Sequence, residues 1–243
     1  MRELLHKIQK WWIKLRLQPI RVFCFHQVSE QYDPSTYTKA DWIALSEFKD
    51  RINDLKKKGY VFISMQEAYK RIMYDTVRTK KYAVLTCDDG LKCQVDIIPW
   101  LKLEEIPITM FVTAKYLDGE TCAGQILSFM GIKDKQMESV LARKLYITKE
   151  ELLSLDCNMV EIGYHGYEHV DVSHLEPQQI QHDTYACIDA FKNYKNVVPF
   201  YAYPFGRHSL RTDNILMKNQ LVPVYIDGLK NYNDHKRIHR ELL

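Results

Sequence analysis

Two short stretches hold the residues whose types and spacing could do chemistry. Thr86-Cys87-Asp88-Asp89-Gly90 ends the apolar run Tyr82-Ala83-Val84-Leu85 in two adjacent aspartates. Neighbouring carboxylates repel and burial raises that cost, so either water solvates them or a cation stands between them. His165-Gly166-Tyr167-Glu168-His169 spaces two imidazoles four residues apart. On one helical turn that spacing puts both rings on one side, within reach of a shared metal. A divalent metal held by two histidines and one aspartate keeps coordination positions open, as hydrolytic chemistry requires. The other aspartate would stay ionised beside it and take a proton from water. The same five residues satisfy H-x-x-E-H, a metalloprotease pattern with Glu168 as general base. That pattern needs a continuous helix, against which stand Gly166 inside it and the strand-like run before it.

The elements that must position these residues alternate along the chain. Strand-like segments are expected at 20–28, 60–64, 81–90, 106–117, 159–166, 197–206 and, as the last, 221–227. Helical periodicity is expected at 44–59, 65–75, 95–105, 147–156, 176–194 and 210–220. Ser64 is placed to cap one helix at its start and Gly59 to end another. Residues 118–147 read as an excursion with room for its own helix. Alternation of this kind implies parallel strands with helices outside. The fold class expected is α/β, a distorted or incomplete (β/α) barrel with parallel strands. A doubly wound open sheet is the other architecture, but no G-x-G-x-x-G fingerprint is present. In either architecture the site lies at the C-terminal ends of the strands, where Asp88, Asp89, His165, His169 and Pro204-Phe205-Gly206 all fall.

With 46% hydrophobic and 27% charged residues over 243 positions, the chain has the composition of an ordinary globular protein and can bury a large core. Its six cysteines form no C-x-x-C pair, which speaks for a reducing compartment and against a zinc ribbon. The net charge of +3 is unevenly spread: residues 1–19 hold five basic side chains against one acidic, so the rest sums to about −1. Leu4, Ile8, Trp11 and Leu15 recur at helical spacing in this stretch. We therefore expect a basic amphipathic N-terminal helix over 1–19 and a catalytic domain over 20–243. The helix would pack on its own domain or a partner, or touch a membrane surface peripherally through residues 1–18. The stretch has no apolar run of signal-peptide length, so a cytoplasmic location, or the cytoplasmic face of the membrane, is expected. A basic groove for nucleic acid is not evident.

Taken together, the motifs resemble the polysaccharide deacetylases of carbohydrate esterase family 4, the NodB-homology domain. Thr86-Cys87-Asp88-Asp89-Gly90 is similar to that family's T-F-D-D-G, and His165-Gly166-Tyr167-Glu168-His169 to its H-[ST]-x-x-H. Ala202-Tyr203-Pro204-Phe205 is similar to its R-x-P-Y, and the likeness covers roughly residues 20–240. The resemblance implies a NodB-type barrel and a metal-dependent deacetylase acting on N-acetylated sugars of a polysaccharide or glycan precursor. The other readings are an O-acetyl carbohydrate esterase and an inactive carbohydrate-binding homologue. It implies Asp88 as general base, and Asp89, His165 and His169 as ligands of a divalent metal, usually zinc. It also implies the backbone N–H of Phe205 as oxyanion donor, and Tyr203 and Pro204 beside the substrate. The family's C-terminal acid histidine has no clear match; His235 and His239 lie in a different context. His26, in Val22-Phe23-Cys24-Phe25-His26-Gln27-Val28, resembles the first strand of the poly-N-acetylglucosamine deacetylase branch and is assigned as the general acid. Ala202 stands where the family has the arginine that partners the base, and Arg207 or Arg240 could substitute. Gly166 replaces a Ser/Thr that braces the histidine loop, and Cys87 is expected to point away from the aspartates by strand alternation. Tyr116, Tyr164, Tyr167, Tyr201 and Tyr203 are candidates for stacking on sugar rings.

Overall fold

The computed structural model describes residues 17–33, 39–118, 145–234 and 236–243. Most of the basic N-terminal stretch, the excursion over 119–144 and His235 lie outside the described residues. In chain order the strands are β1 (Ile20–Phe25), β2 (Gln27–Ser29), β3 (Trp42–Ala44), β4 (Tyr60–Phe62), β5 (Lys81–Asp89), β6 (Ile108–Val112), β7 (Val160–Tyr164), β8 (Val197–Ala202), β9 (Val222–Ile226) and β10 (Ile238–Leu242). The helices are α1 (Leu45–Lys57), α2 (Met65–Tyr74), α3 (Lys92–Asp96), α4 (Ile98–Leu103), α5 (Lys149–Ser154), α6 (Pro177–Phe191) and α7 (Leu210–Lys218). Among the described residues, no helix is long and apolar enough to cross a membrane.

Seven parallel strands close into a barrel in the order β1-β10-β9-β8-β7-β6-β5, and β5 returns to β1. β4 pairs with the first residues of β5, and β6 takes over the same edge from Leu85 onward. Strand alternation sends one set of side chains inward: Val22, Val84, Phe111, Phe200, Val224 and Ile238 fill the barrel. Met65, Ala68 and Ile72 of α2 belong to the same cluster, so α2 plugs the N-terminal end. Ser64 caps that helix by accepting from the Glu67 N–H. Glu161 anchors its first turn, accepting from the Met65 and Gln66 N–H groups at 2.9 and 3.2 Å. The other strand faces pack under the outer helices, and Cys87 is in that layer, pointing away from the barrel interior as strand alternation requires.

The plugged end leaves the C-terminal end of the barrel for chemistry. One close approach shapes it. A Cβ on Gly163 would lie 2.5 Å from the Phe111 ring, so only glycine on β7 lets that ring fill the interior. Gly163→Ala should destabilise the fold by about 1–3 kcal/mol through overpacking, read as a lowered urea midpoint with an unchanged m-value.

Three sequence expectations need correction. The single strand expected at 20–28 breaks at His26, and the helix expected at 95–105 is two short helices, α3 and α4, with Pro99 in the first turn of α4. Proline is tolerated there because that turn's N–H groups have no helical acceptor. The segment 221–227 is not the last strand: β10 follows it, inserts between β9 and β1, and closes the barrel. Its sequence, Ile238-His239-Arg240-Glu241-Leu242, carries three ionisable residues in five and gave no apolar run to find.

Candidate active site

β5 delivers both aspartates, 4% and 3% exposed, to the mouth of the barrel. Asp88 shares the inward face of Val84 and Thr86. Its carboxylate is gripped by Arg240 in a two-pronged pair, Nη1 to Oδ1 at 2.6 Å and Nη2 to Oδ2 at 2.8 Å. Arg240 comes from β10, is 1% exposed, also donates to the Thr86 hydroxyl at 3.2 Å, and lies over the Phe111 ring. Burial pushes the Asp88 carboxyl up, but Arg240 and His165 together outweigh it and hold the group at about 2. Asp88 is thus a carboxylate at neutral pH. Arg207, the other substitute considered, pairs with Asp171 at 2.9 Å instead.

Asp89 follows in a left-handed conformation, φ 76°, which turns its carboxylate toward the histidine loop. Its Oδ1 lies 3.2 Å from Nε2 of His165 and 3.2 Å from Nε2 of His169. Burial pushes Asp89 up, but those two rings hold it well below the usual carboxylate range. His165, also buried, is in turn raised by Asp88 and Asp89 against the lowering effect of burial. Its Nδ1 is 2.9 Å from the Ala202 carbonyl, which can only accept, so Nδ1 carries a proton. In a neutral ring Nε2 then presents a lone pair toward Asp89. Two imidazole nitrogens and a carboxylate oxygen converging within 4.8 Å form a donor set suited to a divalent cation such as zinc. Asp89, His169 and Phe205 account for three of the five left-handed non-glycine residues among the described positions, so backbone strain is concentrated at the site.

His165 to His169 is a loop, not a helix, so the metalloprotease geometry is absent. Glu168 instead pairs with Lys115. The brace expected from a Ser/Thr comes from α6: Asp183 accepts from the Tyr167 N–H at 3.1 Å, the Glu168 N–H at 3.3 Å and the Tyr201 hydroxyl at 3.4 Å. Gly166 has φ +75°, and a Cβ there would meet the Tyr201 hydroxyl at 3.2 Å, so a larger residue would be strained and would press on this brace. Asp183→Ala should weaken zinc binding on the order of tenfold by releasing the loop that carries both imidazoles, while Glu168→Gln should leave it within twofold. Competition with a chelating dye measures both.

His26 sits at the β1–β2 break with a ring nitrogen within 4.8 Å of an Asp88 oxygen and of the Cys24 thiol. The Cys24 thiol is fully buried, and burial pushes it far up, so it stays protonated. Gln94, wholly buried on α3, ties the strands together: its Nε2 donates to the His26 carbonyl at 2.8 Å and to the Asp88 carbonyl at 2.6 Å. Phe205 follows β8 with φ 58° and stacks edge-on against His169, ring centroids 4.7 Å apart. Tyr203 and Pro204, expected beside the substrate, are buried and offer no surface to a sugar. The Tyr203 hydroxyl donates to Asp213 at 2.8 Å, and its ring packs against Tyr201, His208 and Tyr225. Tyr116, Tyr164 and Tyr201 are likewise core residues rather than sugar platforms.

Sequence reasoning missed Asp183 and Gln94 and left Arg240 unresolved. Asp183 had a signal: it lies on the buried stripe Ile180, Asp183, Thr184, Cys187, Phe191 of α6, where a carboxylate needs partners. Gln94 had none.

Residues 75–224 match the family model described as polysaccharide deacetylase. The Bacillus subtilis (strain 168) protein YxkH, named as a candidate polysaccharide deacetylase, is 23% identical over 168 residues, 68% of this chain; the chain spans about half (52%) of that relative. Similar solved structures include IcaB from Ammonifex degensii, 20% identical with TM-score 0.71 over 94% of this chain and 93% of that one. The Streptococcus pyogenes deacetylase PplD in complex with acetate is 18% identical, TM-score 0.73, over 93% of each chain. A de-N-acetylase from Aggregatibacter actinomycetemcomitans is 17% identical, TM-score 0.72, over 93% of this chain and 95% of that one. His26, just after β1, and Arg240, on β10, lie outside the matched residues, whereas both aspartates, His165 and His169 lie inside them; the chain belongs to the polysaccharide deacetylase family.

Proposed function

We propose that this protein is a divalent-metal-dependent deacetylase that removes acetyl groups from N-acetylated sugars of a polysaccharide or glycan precursor. The observation that carries the reading is the convergence of Asp89, His165 and His169 beside an Asp88 kept ionised by Arg240. Held by those three residues, a divalent ion, zinc by preference, supplies Lewis acidity for an acyl carbonyl and makes water easier to deprotonate. Asp88 takes a proton from the attacking water at a carboxylate oxygen. The backbone N–H of Phe205 donates to the oxygen that gains negative charge as the carbonyl carbon becomes tetrahedral. His26 gives a proton to the sugar nitrogen as the C–N bond breaks, so acetate and a free amine leave. Arg240 holds Asp88 in position and keeps it ionised before the water gives up its proton, and Gln94 fixes the spacing of Asp88 and His26.

The test is acetate release from N-acetylhexosamine oligomers by zinc-loaded protein, with and without chelator. Release that the chelator stops and zinc restores is the expected result. Release only from O-acetylated sugars would move the assignment to an ester, and no release from either would overturn it.

A further inference from the structure

Between β8 and α7 the chain runs through Ala202-Tyr203-Pro204-Phe205-Gly206 and meets the site three times. The Ala202 carbonyl accepts from His165 Nδ1, the Phe205 ring borders His169, and the Phe205 N–H is the oxyanion donor of the proposed reaction. The turn needs firm support. Phe205 is left-handed at φ 58° and Gly206 at φ 65°. A non-glycine residue stays in that region only where its surroundings over-determine it. Two restraints are local. The Gly206 N–H donates to the Tyr203 carbonyl at 2.9 Å, and Gly206 packs so closely on Ile226 that a Cβ there would lie 2.5 Å from that side chain.

A third restraint comes from outside the barrel. Asp213 lies in the first turn of α7 and is 2% exposed, which costs free energy unless its oxygens are bonded. Its Oδ1 accepts from the Tyr203 hydroxyl at 2.8 Å. Its Oδ2 accepts from the Tyr225 hydroxyl at 2.5 Å and faces Nη2 of Arg237 at 3.5 Å. Tyr225 belongs to β9, and Arg237 immediately precedes β10. Asp213 is thus tied to two further segments through one oxygen and holds the turn through the other. The Tyr203 ring is also confined, with Tyr201 and Tyr225 packed on it at centroid distances of 5.5 and 5.9 Å.

We propose that Asp213 is a positioning residue for the reaction: through the Tyr203 hydroxyl it fixes the turn that places the Phe205 N–H where the oxyanion forms. The inference rests on the deacetylase reading of the site. Asp213 belongs neither to the donor set for the ion nor to the acid–base pair. An oxyanion donor meets its charge only in the transition state, so a small displacement lowers kcat and leaves substrate binding alone. The two tyrosine hydroxyls separate this role from support of the fold. Each makes a buried bond to the same carboxylate, so loss of either should cost similar stability. Only Tyr203 is joined to the turn.

The experiment measures acetate release from N-acetylhexosamine oligomers by the zinc-loaded full chain, as wild type, Tyr203→Phe, Tyr225→Phe and Asp213→Ala. Tyr203→Phe and Asp213→Ala should each lower kcat about 10- to 100-fold with KM within about twofold. The double variant should lose no more than the worse single one. Tyr225→Phe should keep kcat within about twofold, although its urea midpoint falls about as far as that of Tyr203→Phe. Equal losses of kcat in the two tyrosine variants, an unchanged kcat in Tyr203→Phe or in folded Asp213→Ala, or a loss of zinc that accounts for the lost rate overturns the proposal. Should Asp213→Ala fail to fold, the two tyrosine variants decide. Calorimetric titration with methylphosphonate, a tetrahedral anion, needs no turnover. Tyr203→Phe should weaken its binding about fivefold or more and Tyr225→Phe should not. The same affinity in both tyrosine variants, or no binding to wild type, overturns the proposal. A wild type that releases no acetate therefore defeats the deacetylase reading, while the role of Asp213 is still judged by methylphosphonate.

Discussion

Asp88→Asn should lower acetate release by about 10²- to 10⁴-fold, the usual contribution of a positioned general base, while zinc still binds stoichiometrically. The amide cannot take a proton from water at neutral pH, yet it keeps the shape of the carboxyl group and one oxygen for Arg240. Asp89, His165 and His169 are untouched by the change, so the metal content separates loss of the base from loss of the ion. Metal analysis beside the acetate assay checks both. Substantial acetate release by the variant would show that Asp88 is not the base. Loss of metal together with activity would make Asp88 part of the metal-binding set.

Arg240→Met should be the most destabilising of the single changes considered, at about 3–5 kcal/mol, because it strands Asp88 as a buried charge without a partner. Urea unfolding measures it, and a loss below about 1 kcal/mol would mean that the pair contributes little. Arg240→Lys should not restore the wild type, since a single ammonium cannot make both bonds to the carboxylate. The change also has a signed effect on pH dependence. In wild type the Asp88 carboxyl is lowered to about 2 from an ordinary value of 3.8. Its contribution to stability is therefore complete above 3.8 and is lost as the pH falls toward about 2. Without Arg240 the upward push of burial is less opposed, Asp88 binds its proton at higher pH, and the acid limb of the rate profile should move upward. A limb that stays in place would mean that another group sets it.

The arginine shows where sequence reasoning ends. The third motif has Ala202 where the family has arginine, which left the base without an evident counter-charge. The replacement lies 152 residues from Asp88 along the chain, on a strand not recognised as one. In Ile238-His239-Arg240-Glu241-Leu242, alternation alone would put Arg240 on the face of Ile238. Only closure of the barrel, with β10 beside β1 and β1 beside β5, turns that face toward Asp88. The other polar residues of β10 also find partners on other segments: Glu241 pairs with Arg21 of β1, and His239 with Asp227 just beyond β9. A strand whose charges are neutralised by distant partners has no local signature.

By itself the sequence determined the alternation of strands and helices, the parallel barrel it implies, and the two motifs at strand ends that supply Asp88, Asp89, His165 and His169. These were legible because apolar periodicity and motif spacing are local properties, set by burial on one face and by the reach of neighbouring side chains. The tertiary structure decided which cation holds the base, that Asp183 rather than a residue of the histidine loop braces the imidazoles, and that Tyr203 is buried with its hydroxyl on Asp213. Each of these depends on strand order and register, which bring together side chains distant in sequence, and the burial of each charge is settled only when its partner arrives from another strand or helix.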